Sequence, residues 1–184
     1  MGYIMLDNII IMKYGVHAGE SISNIIERKF KELKLTGNFY WGYGGTLCHP
    51  ISQVQPFLKN AAESNNSVYL LLTPTKSNNY NDFLESKEFS YNKINWFPMP
   101  KNIHVYGSKY ALICRDLKKS DFEINLCEYE VSVGASKGKS ISEYFKGRVD
   151  KCCAHKISNY DITEEKNILK ISWIARVENA IFLK

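Results

Sequence analysis

Two short segments carry the residue types that could do chemistry. The first is Tyr40-Trp41-Gly42-Tyr43-Gly44-Gly45-Thr46-Leu47-Cys48-His49-Pro50. Glycines that follow a strand and precede a helix let backbone N–H groups approach an anion closely. Tyr40, Trp41 and Tyr43 carry rings on which a base could stack. With Gly44, Gly45, Thr46 and His49 they would line a nucleotide or RNA pocket. A tight turn at the glycines, with the rings filling the core, explains the same residues without a ligand. No GxGxxG spacing is present, so the dinucleotide-binding fingerprint is not met.

Cys48 and His49 are the catalytic candidates in the same segment. A thiolate–imidazole pair needs sulfur and ring nitrogen within hydrogen-bond reach. Sequence neighbours in an extended segment point to opposite sides. A second imidazole, such as His17 or His104, would have to converge on Cys48, and nothing in the sequence shows that it does. The chain therefore reads as a binding protein rather than an enzyme.

The second segment is Gly134-Ala135-Ser136-Lys137-Gly138-Lys139-Ser140, after a strand and before a helix. It resembles a phosphate loop but has three residues between its glycines, where that motif has four. Only 44 residues follow it, too few for the rest of such a sheet. Ser140 with Glu143 reads as a capping box. The helix start could still hold an anion. Between residues 137 and 156 six cations (Lys137, Lys139, Lys146, Arg148, Lys151 and Lys156) face two anions, Glu143 and Asp150. A basic helix behind a basic loop suits a phosphate backbone. The expected anion-binding set is Lys137, Lys139, Ser140, Lys146, Arg148 and Lys151. A solvated charged face is the alternative.

The four histidines are scattered, and HxH, HExxH and CxxC are absent. No metal and no cofactor is expected. Five cysteines at irregular spacing do not make a disulfide framework. They read as reduced thiols, which places the chain in a cytoplasm. No apolar run reaches the roughly 18 residues that span a bilayer. Met1 to Leu6 lacks the charged and apolar regions of a secretory signal. The 184 residues, 45% of them hydrophobic and 23% charged, with a net charge of +5, suit an ordinary globular chain with an anionic partner.

The elements that must position these residues follow from periodicity. A strand is predicted over 9–13, where three isoleucines run together. A helix follows. Ser21 is its N-cap. Ile22, Ile25, Ile26, Phe30 and Leu33 form its apolar stripe, and Gly37 closes it. Glu27 with Lys31, and Arg28 with Glu32, are placed on its wet side. Further strands are predicted over 38–43 and 68–73. A second helix is predicted from Pro56. Residues 75–86 read as loop, and 89–97 as a hairpin turning at Asn92 and Lys93. Two long strands, 104–115 and 123–133, are expected to pair antiparallel. A third helix over 140–149 and a strand over 169–182 complete the chain.

The fold class is α+β. Residues 1–184 are expected to form one domain, with a mixed or largely antiparallel sheet of about five to seven strands and about three helices. The expected function is non-enzymatic binding of RNA or a ribonucleoprotein or nuclease complex through the basic surface. An inhibitor of host defence carried by a mobile element, of the anti-CRISPR type, fits this reading. The alternative is a protein that binds, sequesters or hydrolyses a small nucleotide through the loop from Tyr40 to His49. A protein partner is compatible with either; a membrane is not expected.

Overall fold

Ile9, Ile10 and Ile11 are fully buried, because the strand that carries them is covered on both faces. Side chains alternate along a strand. Ile10 therefore enters one hydrophobic cluster, and Ile9 and Ile11 enter another on the opposite side. The computed structural model describes residues 6–44, 49–146, 149–158 and 165–184. Its elements in chain order are β1 (Asn8–His17), α1 (Ile22–Thr36), β2 (Phe39–Gly44), α2 (Ile51–Glu63), β3 (Val68–Tyr80), β4 (Glu88–Ser90), β5 (Phe97–Pro98), β6 (Tyr110–Lys119), β7 (Glu123–Asn125), β8 (Tyr129–Val131), α3 (Ile141–Tyr144), β9 (Lys151–Lys156), β10 (Ile168–Lys170) and β11 (Trp173–Leu183).

The class is α+β with a large mixed sheet. Among the described residues that sheet has nine strands, more than the five to seven expected. Seven run in the order β2-β6-β11-β3-β1-β9-β8, while β4 joins β11 and β5 joins β4. Among the described strands only β1 and β3 pair in parallel. A separate ribbon pairs β7 with β10. No helix among the described residues is long and apolar enough to cross a membrane.

The added strands have local causes. The stretch expected as one strand over 123–133 breaks into β7 and β8. At the break, the Asn125 side chain accepts from the Cys127 N–H at 3.1 Å, which turns the chain into a short 3₁₀ segment. The expected hairpin between 104–115 and 123–133 is therefore not formed. β6 pairs instead with β2 and β11. β9 lies where the sequence predicts no strand. It pairs with β1 and β8.

α1 follows its sequence signals. The Ser21 hydroxyl accepts from the Asn24 N–H at 3.2 Å, and Gly37 closes the helix at φ 81°. α2 begins at Ile51, a turn before the predicted start. Its apolar positions Ile51, Val54, Leu58 and Ala61 already repeat from that point. Pro56 sits inside this helix and forgoes one backbone bond. α3 is a single turn, not the ten residues expected. Beyond it, Lys13 Nζ donates to the carbonyls of Phe145 at 3.4 Å and Val149 at 3.0 Å, so the chain there is tied to β1.

The sheet coils until distant strands meet. Trp41 on β2 packs edge-on against Tyr14 on β1, with centroids 5.6 Å apart. Tyr43 Oη lies 3.9 Å from Cys153 Sγ on β9. Between β2 and β9 the sheet order places four other strands. Strand twist, accumulated across the sheet, closes this distance. α1 and α2 pack their apolar faces on the same side, around Trp41 and Tyr43.

Candidate functional site

The rings offered for stacking are core side chains. Tyr40, Trp41 and Tyr43 are 5%, 5% and 1% exposed. Burial pushes the Tyr40 phenol up to about 12. These rings present no free face to a base, which corrects their assignment as stacking residues. Gly44 ends β2 with φ 91°. Gly45, Thr46 and Cys48 lie outside the described residues, as does Arg148.

The basic residues divide into two groups. Lys137, Lys139 and Lys146 are exposed. They have no ion-pair partner among the described residues. Lys137 and Lys139 ride on a loop fastened to β8, where the Val131 N–H donates to the Lys139 carbonyl and the Gly138 N–H to the Val131 carbonyl, both at 2.9 Å. That loop abuts the first turn of α2, since a Cβ at Gly134 would stand 2.9 Å from Gln53 Oε1. Ser140 is half-buried at the N-cap of α3, but its hydroxyl makes no capping bond.

Lys151 belongs elsewhere. It is 6% exposed, with Nζ 3.1 Å from Asp150 Oδ1 and 5.3 Å from the Tyr43 ring centre. It points inward, so it is removed from the outward basic set. Lys156 pairs with Glu128 at 3.2 Å.

His49 stands where these parts meet. It precedes the N-cap of α2, takes φ 59°, and is 6% exposed. Its ring stacks on Tyr144 of α3 at 5.5 Å and 16°. Its Nε2 is buried and has no hydrogen-bond partner among the described residues. Burial, and secondarily the Lys151 charge, lower its pKa to about 4, so the ring is neutral at physiological pH. The α2 start beside it is uncapped. Pro50 offers no side-chain bond, and the first turn contains no acid. The N–H groups of Ile51 and Ser52 meet no acceptor among the described residues.

A second charged cluster was missed by sequence reasoning. Of Arg28 and Glu32, expected on the wet side of α1, Glu32 is inside and Arg28 is half-buried. Glu32 is 1% and Lys29 3% exposed. Arg28 bridges Glu20 at 2.6 Å and Glu32 at 3.0 Å, and donates to the His104 carbonyl at 2.6 Å. Lys29 donates to the same carbonyl at 3.0 Å. Burial lowers Lys29 to about 8 against the pull of Glu32. The Arg28 hydrogen bond holds Glu20 below the usual carboxylate range. The available signal was position: Lys29 falls on the stripe with Ile22, Ile25, Ile26 and Leu33. His17 Nε2 lies 2.7 Å from the Tyr106 carbonyl, and His104 Nδ1 2.6 Å from Glu85. Both imidazoles are thus engaged at this end of the molecule.

No protein-family model matches the chain, and neither do any of the curated proteins or solved structures compared with it.

Proposed function

We propose that this is a non-enzymatic binding protein for RNA, free or within a ribonucleoprotein, engaged through Lys137, Lys139 and Lys146. The observation that carries the reading is the exposure of these three ammonium groups, without a neutralising carboxylate among the described residues. They flank one short stretch of fold, the loop before α3 and the residue pair after it. Exposed, unpaired lysines attract a phosphate backbone by releasing its counterions, and they do so without regard to sequence. Glu143 is the acid within this stretch, and it too is exposed. Lys151 is buried and paired with the half-buried Asp150, so it adds no free ammonium to the surface.

The test is fluorescence anisotropy with a labelled single-stranded RNA of about 20 nucleotides at low and moderate salt. The wild-type chain should bind with marked salt sensitivity. The K137E/K139E/K146E variant should fold and lose that binding. Wild-type affinity that is absent, or a triple variant that binds equally well, would overturn the reading.

A further inference from the structure

We infer that the start of α2 is a seat for the phosphate group of a small ligand, with His49 Nε2 and the first-turn N–H groups as its donors. This site is distinct from the lysine surface and does not depend on it.

Three independent features converge there. The first is His49, 94% buried by its 6% exposure, with an Nε2 that has no partner among the described residues. A buried polar atom left unpaired costs about 1–3 kcal/mol. A ligand atom that completes the hydrogen bond removes the cost. The second is the helix itself. α2 has 13 residues and an uncapped N-terminus, where the aligned peptide dipoles favour an anion. The third is the charge nearby. Among the described residues Lys151 pairs with Asp150, the same carboxylate acts on Lys13, and Lys151 is near enough to depress the imidazole. Helix end, nearby cation and unpaired nitrogen all select negative charge on oxygen.

The neutral ring suits the role. With the proton on Nε2, His49 donates one directed hydrogen bond, and no mobile charge need be neutralised first. Its stack on Tyr144 fixes the plane of the ring. A tetrahedral phosphate offers enough oxygens to take this bond and the Ile51 and Ser52 N–H groups together.

The experiment titrates the full chain with inorganic phosphate, adenosine 5′-monophosphate and adenosine by calorimetry. Phosphate and the monophosphate should bind, and adenosine should not. Tighter binding of the monophosphate makes a nucleotide the source of the group; equal binding makes it free phosphate. His49→Phe keeps the ring stack and loses the nitrogen, and should weaken phosphate at least about tenfold. The ring-nitrogen resonances of histidine-labelled protein give a second readout independent of that variant: phosphate should shift those of His49. The inference is overturned by absence of phosphate binding, by adenosine binding as well as its monophosphate, by unchanged affinity in a folded His49→Phe, or by unmoved His49 resonances. The K137A/K139A/K146A variant, which adds no negative charge beside α2, should retain the phosphate binding that His49→Phe loses, which separates this site from the RNA surface.

Discussion

Lys29 Nζ lies 3.0 Å from each carboxylate oxygen of Glu32, and both side chains are inside the protein. Glu32 is the hub of the cluster. It also accepts from Arg28 and from the backbone N–H groups of His104 at 3.1 Å and Tyr40 at 3.4 Å. These bonds join α1 to β2 and to the segment before β6. Truncating such a hub leaves the buried Lys29 without its carboxylate, while Arg28 keeps Glu20, and losing one partner of a buried pair typically costs about 3–5 kcal/mol. Glu32→Ala should lower stability by about that amount in urea denaturation. Lys29→Met should cost less, because Arg28 still neutralises Glu32 and the new side chain fills the stem volume. A Glu32→Ala loss below about 1 kcal/mol would show that the cluster is not a structural hub.

The orphaned imidazole sets a pH dependence. His49 titrates near 4 in the folded chain and near 6.5 when unfolded. Between these values the unfolded chain holds the extra proton, so stability falls as pH drops from 6.5 toward 4. Above 6.5 the group contributes no slope. Linkage sets the full effect at up to about 3 kcal/mol, less where solvent reaches the ring. Urea midpoints of wild type and His49→Phe, compared at about pH 7 and about pH 4.5, isolate it. The variant should gain on the wild type at the lower pH. A constant difference between the two would place the folded imidazole near its ordinary value.

α1 was legible because cap, stripe and closing glycine all point to one register. The α2 start is obscured because Pro56 reads as a first-turn marker and competes with the apolar repeat that begins at Ile51. β9 was illegible for another reason. Cys152, Cys153 and Ala154 are fully buried, yet none is β-branched or aromatic, so propensity gives no strand signal. Charge misled where position should have decided. Lys29 shares a stripe with isoleucines, and the long stem of a lysine lets it enter a core whose carboxylate awaits it. Lys151 reads with a surface in the sequence because charge spacing outside a helix does not reveal which side a residue faces. His49 was named from the sequence. Its burial, its unpaired nitrogen and its contact with Tyr144 depend on α3 meeting the start of α2, which no local pattern encodes.

Gly44 should resist substitution. Its φ of 91° is strained for any residue with a Cβ, and that atom would stand 3.2 Å from Lys151 Nζ. The ammonium cannot retreat freely, since it is buried and paired with Asp150. Gly37 provides the control, with φ 81° and open space around a built Cβ. Gly37→Ala should lose about 1 kcal/mol from backbone strain alone. Gly44→Ala should lose about 1 kcal/mol more. Equal thermal unfolding midpoints for the two variants would mean that Lys151 is free to move.

The RNA surface makes a prediction about salt that affinity alone does not. Each phosphate neutralised on a single strand contributes about −0.7 to the slope of log affinity against log salt. Three engaged lysines set that slope near about −2. Replacing one of Lys137, Lys139 or Lys146 by Ala should flatten it by about 0.7, whichever is chosen, because a nonspecific phosphate contact has no privileged position. Lys151→Met should leave the slope unchanged, since that ammonium is inside and already paired. Anisotropy titrations from about 50 to 200 mM salt measure the slopes of the wild type and the four variants. A Lys151→Met slope that flattens as much as the others would move the binding surface inward, to the start of α2.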